Sequence, residues 1–193
     1  MASGRKCWRI AALSVRRAKL APSLPKAANL KLGIVVSDYH ASLAEALLAG
    51  ARGCLRAHGV PPDSVTEVSV PGAFEIPQAV ARLLAASHPA PDAILALGVL
   101  IRGDTFHFEV LSREVCRSLE AIGCSTGVPV AFGVLTVDTE QQARDRAGEG
   151  RTNKGWEAAE AAVRMALLFR QIQKPRGRTA ALPHRPGRRR VEK

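Results

Sequence analysis

Between residues 31 and 169 the apolar positions change period repeatedly, from unbroken runs to three- and four-residue spacing and back. KLGIVVS (31–37) is short and continuous enough to be a buried strand. Leu43, Leu47, Gly50 and Cys54 then recur at helical spacing, Leu55 and His58 widen the stripe, and Gly59 ends it. VTEVSV (65–70) alternates as a second strand. FEIPQAVARLLAAS predicts a helix with Pro77 in its first turn, where a missing amide costs little. LGVLIRGDTFHFE (97–109) opens as a Leu, Val and Ile run bounded by Gly98 and Gly103, and reads as a central strand covered on both faces. Phe108, Leu111, Val115, Leu119 and Ile122 line one side of the following helix. VPVAFGVLTV (128–137) is a fourth strand, TEQQARDRAG a short helix, and Trp156, Ala159, Val163 and Leu167 mark the last one.

Strands alternating with helices imply right-handed crossovers and a parallel sheet between helix layers. Ligands of such sheets collect beyond the carboxyl ends of the strands, so the strand exits are where chemistry is expected. The exits deliver SDYH (37–40), VPGAFEIP (70–77), RGDTFH (102–107) and FGVLTVD (132–138). Tyr39, Phe74 and Phe132 stand there in a chain that is only 4% aromatic, either to grip a flat ring or to plug the end of the core. Glu75 either caps the helix it opens or accepts hydrogen bonds from a ligand. Asp104 or Thr105 is a candidate cap for the next helix, and His107 beside them is either structural or a proton shuttle near neutral pH.

Length and composition add a domain picture: 193 residues that are 47% hydrophobic suit one domain plus extensions. The net charge of +11 is unevenly placed. Residues 1–30 hold seven Lys or Arg and no acid, residues 170–193 hold nine basic residues and Glu192, and the body holds twelve basic against sixteen acidic. Rich in Arg, Pro and Gly and without periodicity, both tails read as unstructured extensions. They lack the aromatic interleaving or binding module that specific nucleic-acid recognition requires. No stretch approaches the roughly 18 apolar residues of a membrane span. The acid-free start has some transit-peptide character, set against a plain extension on a cytoplasmic protein. Cys7, Cys54, Cys116 and Cys124 form no CxxC pair and read as buried reduced thiols in a reducing compartment.

VPGAFEIP, LGVLIRGDTFHFEV, TGVPVAFGVLT, RAG and NKG, in this order and at these intervals, resemble the 6,7-dimethyl-8-ribityllumazine synthase family over residues 31–169. Each motif is weak alone, whereas all of them in register are specific. The resemblance implies a flavodoxin-like three-layer α/β/α sandwich with a four-stranded parallel sheet. It also implies condensation of 5-amino-6-(D-ribitylamino)uracil with 3,4-dihydroxy-2-butanone 4-phosphate in riboflavin biosynthesis, releasing phosphate and water without a metal or organic cofactor. On that basis Tyr39 stacks on the pyrimidine, and Ala73, Phe74 and Glu75 take the ring edge and ribityl chain. Val99, Leu100 and Ile101 line the ring through backbone groups. Asp104 and Thr105 hold the phosphate substrate, His107 transfers protons, Arg146 binds phosphate and Lys154 lies close by. Phe132 arrives from a neighbouring subunit of a homopentamer, which in some members builds a sixty-subunit icosahedral shell. Tyr39-His40 and Arg113 stand where members more usually carry Phe-Asn and Asn. The alternatives are a non-catalytic shell or scaffold of the same fold, or a flavin- or lumazine-binding module. A flavin module would need a Ser/Thr-rich phosphate loop where this chain has SDYHAS.

Overall fold

The apolar run Ala93–Ile101 decides the architecture, because a strand buried along nearly its whole length needs a neighbour on each edge and a helix layer on each face. In the computed structural model, which describes residues 27–173, it has all four. The elements run β1 (Leu32–Ser37), α1 (Ala41–Ala57), β2 (Val65–Val70), α2 (Ile76–Ala86), β3 (Ala93–Ile101), α3 (His107–Thr126), β4 (Val130–Val137), α4 (Glu140–Arg146) and α5 (Lys154–Gln173). All strand pairs are parallel, in the order β2-β1-β3-β4.

Alternation along the two central strands divides the core. Leu32, Ile34, Val36, Leu95 and Leu97 pack with α1 and α5 on one face, while Val35, Ile94 and Ala96 pack with α2 and α3 on the other. A third cluster, built on Leu43, Leu47, Val99, Leu135, Val137, Ala143 and Ala147, seats α4 at the carboxyl end of the sheet. The result is the three-layer sandwich.

Several expectations need correction. Gly98 does not bound the central strand but lies inside it; a Cβ there would come 3.0 Å from Ile76 Cδ1, so the glycine makes room for the start of α2. Neither Asp104 nor Thr105 caps α3, whose N-cap residue is Phe106 without a side-chain hydrogen bond. Cys54 is buried, but Cys116 and Cys124 are exposed, since both fall off the apolar stripe of α3. Burial, reinforced by the charge of Glu160, pushes the Cys54 thiol up to about 12 and leaves it inert. The packed domain also exceeds 31–169 at both ends. Ala27 and Leu30 are core residues, and Arg170 near the end of α5 pairs with Asp92 at 2.7 and 2.8 Å. The remaining tail residues and Cys7 lie outside the described residues. No described helix is long and apolar enough to cross a membrane.

The NKG triplet is the tightest joint in the domain. Asn153 is only 2% exposed. Its Oδ1 accepts from the Gly155 and Trp156 N–H groups at 2.7 and 3.3 Å, which starts α5. Its Nδ2 lies 2.9–3.0 Å from the carbonyl oxygens of Ala46, Ala147 and Gly148, which ties α5 to α1 and to the end of α4. Gly155 packs so closely on α1 that a Cβ would collide with the Leu47 carbonyl oxygen, and a Cβ at Gly50 would collide with Asn153 itself. Asn153→Ala loses the cap and strands buried polar groups, so it should lower stability by about 2–4 kcal/mol in urea denaturation. A loss under about 0.5 kcal/mol, the level of an ordinary surface substitution, would contradict this.

Candidate active site

From β1 the chain turns to α1 on one face of the sheet, and from β3 it turns to α3 on the other. That reversal opens a crevice between the two exits. A cavity of about 650 Å³ lies there. Its walls are Tyr39 from the β1 exit, Ala73, Phe74 and Glu75 from the 3-10 turn after β2, Val99, Leu100 and Ile101 ending β3, Thr105 from the next loop, and His107 opening α3. Asp104 is exposed on the loop between the lining residues Gly103 and Thr105.

The aromatic side chains do not plug the core. Tyr39 is 77% and Phe74 55% exposed, on two walls of one cavity, where flat faces can flank a ring. The Tyr39 and His40 rings stand nearly perpendicular, with centroids 5.0 Å apart. Glu75 occupies the N-cap position of α2 yet makes no capping hydrogen bond, which leaves its carboxylate to the cavity wall. Val99 is buried in the carboxyl-end cluster, so backbone groups are what it offers a ligand.

Phe132, Arg146 and Lys154 are elsewhere. They line a second groove of about 370 Å³ along the edge strand β4. Phe132, expected at a strand exit, sits instead near the start of β4, opposite Ala96, while Val137 ends the strand opposite Ile101. At roughly 3.3 Å per residue it lies on the order of 16 Å from the exit of its own strand. Lys154 Nζ pairs with Glu157 Oε2 at 2.6 Å, and Arg146 Nη1 donates to the Gln142 carbonyl oxygen at 3.2 Å. The chain therefore carries an aromatic cavity with an imidazole and, separately, a basic groove with an exposed phenyl ring.

Several contacts at the site were not read from the sequence. His40 and Phe108 line the cavity; the first was visible as Tyr39's neighbour, the second was assigned only to a helix stripe. Glu157 lines the groove, and its signal was the three-residue spacing from Lys154 on a helix. Arg102 leaves the end of β3 with its Nε donating to Asp138 Oδ1 at 2.7 Å and its Nη1 paired with Glu109, while its guanidinium carbon lies 4.5 Å from the Phe108 ring centroid. The Asp138 and Glu109 hydrogen bonds raise the Arg102 pKa. Glu109's own backbone N–H, followed by Arg102, holds its carboxyl below the ordinary value. Among the described residues, no group of three or more His, Cys, Asp or Glu is arranged to hold a metal ion.

Comparison with known proteins bears on the family of the chain. The family model for 6,7-dimethyl-8-ribityllumazine synthase matches residues 29–170. The chain is 49% identical over 148 residues to the 6,7-dimethyl-8-ribityllumazine synthase of Trichormus variabilis, covering 75% of this chain and 76% of the relative. It is 44% identical over 145 residues to that of Kosmotoga olearia, covering 75% and 92%. Against that of Kineococcus radiotolerans it is 47% identical over 146 residues, covering 75% and 88%.

Because Glu109 has a folded-state pKa below its unfolded one, its pairing contributes stability above the unfolded value, and that contribution is lost as pH falls through the folded value. The stability difference between the unsubstituted protein and Glu109→Gln should therefore be constant near neutrality and shrink below about pH 4.3. Urea denaturation across that range checks it, and a difference that grows on acidification would contradict it.

Proposed function

We propose that this chain, which belongs to the 6,7-dimethyl-8-ribityllumazine synthase family, joins its two substrates in a site shared between neighbouring subunits. The reaction is the family's: 5-amino-6-(D-ribitylamino)uracil and 3,4-dihydroxy-2-butanone 4-phosphate are condensed to the lumazine, with release of phosphate and water, in riboflavin biosynthesis. Relatives at 44–49% identity that carry the synthase name favour this enzyme over a scaffold or binding module.

The separation of the basic groove from the aromatic cavity on one chain supports the shared site. A heterologous contact that lays the groove of one subunit over the cavity of the next, and closes into a ring, gives every cavity one groove. The ring in this reading is a homopentamer. Tyr39 and Phe74 flank the pyrimidine, with Phe132 of the adjoining copy completing the aromatic wall. Ala73 and Glu75 take the ring edge and ribityl chain, and Val99, Leu100 and Ile101 offer backbone groups. Asp104, through its backbone N–H, and Thr105 hold the phosphate substrate, while Arg146 and Lys154 bring positive charge from the adjoining copy.

The chemistry needs these types. The aryl amine adds to the ketone and loses water to form an imine; phosphate then leaves, the product tautomerises, and the ribitylamino nitrogen closes the ring with loss of water. Each step is an addition, an elimination or a proton transfer, so holding both substrates in register removes a large entropic cost. Arg146 matches a departing phosphate with a planar fork of donors. His107 takes and returns protons in successive steps. The reading keeps the protein in the cytoplasm, where the free thiols of Cys54, Cys116 and Cys124 stay reduced.

Incubation with both substrates should yield lumazine fluorescence. His107→Ala should lower kcat by about 10²–10⁴ with the fold intact, and Arg146→Ala should chiefly raise KM for the phosphate substrate. A folded, assembled protein that forms no lumazine, or a His107→Ala protein at full rate, would overturn the assignment.

A further inference from the structure

Arg102 stands at the exit of β3, and the functional reading gives it no task, yet several elements meet at its side chain. Its backbone N–H donates to the Val137 carbonyl oxygen at 2.9 Å, one step beyond the β3–β4 ladder. Its Nε holds Asp138, just after β4, at 2.7 Å. That anchor is itself fixed, since the Asp138 N–H donates to Gln142 Oε1 at 2.9 Å. On the other side, Arg102 Nη1 pairs with Glu109, and the guanidinium lies over Phe108. Phe108 and Glu109 directly follow His107 in the first turn of α3.

The N-cap residue of that turn, Phe106, makes no side-chain hydrogen bond, and helix starts without such a cap fray. The loop from Gly103 to Phe106 is exposed throughout and gives the turn little support. Contacts that hold Phe108 and Glu109 therefore also fix the backbone of His107 and, through it, the direction in which the imidazole enters the cavity. The clamp is partly solvated, with the Arg102 side chain 44% exposed, so ion pairs of this kind add little to global stability. What they can set is local order.

We propose that Arg102 is a positioning residue for the reaction, acting through Glu109 and Phe108 to orient His107 toward the bound substrates. The inference rests on the reading of His107 as the proton carrier. The Lys side chain keeps the charge but lacks the fork that reaches Asp138 and Glu109 together.

Steady-state kinetics on the assembled protein test this with Arg102→Gln, Arg102→Lys and Glu109→Gln, each alone and combined with His107→Ala. Arg102→Gln should lower kcat by about 10- to 100-fold, the scale of an ångström-level misplacement of a catalytic group. KM for the pyrimidine should stay within about twofold, because Tyr39, Phe74 and the β3 backbone bind it from other walls. Arg102→Lys should recover only part of the loss. In the His107→Ala background, Arg102→Gln should change kcat by less than about threefold, since residues acting as a unit are not additive. Wild-type kcat in Arg102→Gln, or an equal loss in both backgrounds, would overturn the proposal. Should Arg102→Gln fail to assemble, Glu109→Gln carries the same comparison from the helix side, with the same expected and contrary results. A His107→Ala protein at full rate is a separate failure, of the underlying reading, and is visible without any change at Arg102.

Discussion

Parallel strands bring their carboxyl ends to one edge of a sheet, and here the chain leaves that edge in opposite directions from the two central strands. The crevice between the β1 and β3 exits is a consequence of that reversal and needs no dedicated element to build it. Tyr39, the turn carrying Phe74 and Glu75, and the start of α3 converge because each lies within a few residues of a strand end. The support is rigid: Ile94, Leu95, Ala96 and Leu97 are fully buried. The segment just beyond β3 is exposed, and there Arg102 spans from the end of β4 to the first turn of α3.

The basic groove has a different origin. Arg146 ends α4 and Lys154 begins α5, and between them the chain is held by a buried side-chain amide rather than by a sheet. Asn153 joins the two helix ends to α1, so the spacing of the two cations depends on one residue's hydrogen bonds. NKG thus serves packing at its first and third positions, while its middle residue faces the groove.

Much of this was legible in the sequence, for physical reasons that differ by element. The strands β1 and β3 are unbroken apolar runs, and the helices carry clean stripes, so the sandwich followed from periodicity. The cavity residues were legible because they sit next to strand ends in sequence as well as in space. The same stripe that predicted α3 already left Cys116 and Cys124 off its buried side, although the thiols were read as buried. Gly98 was misread as a boundary because a glycine that accommodates a neighbour's side chain looks like one that breaks a strand. Phe132 was misplaced because the exit of β4 was counted from an aromatic residue rather than from the end of the run. Arg102 was visible as a strand-exit residue, but its clamp was not: its partner Asp138 is 36 residues away, and only the β3–β4 pairing brings them together.

The central claim is that the cavity of one subunit works with the groove of another. Subunit mixing tests it directly. His107→Ala and Arg146→Ala subunits, each defective alone, are dissociated, mixed in equal amounts, reassembled, and assayed at limiting phosphate substrate. In a ring with random placement, about a quarter of the interfaces pair an intact His107 with an intact Arg146 from the adjoining copy, so activity should return to about a quarter of the unsubstituted level. Activity no higher than the mean of the two parents, in rings shown to contain both kinds of subunit, would contradict the account.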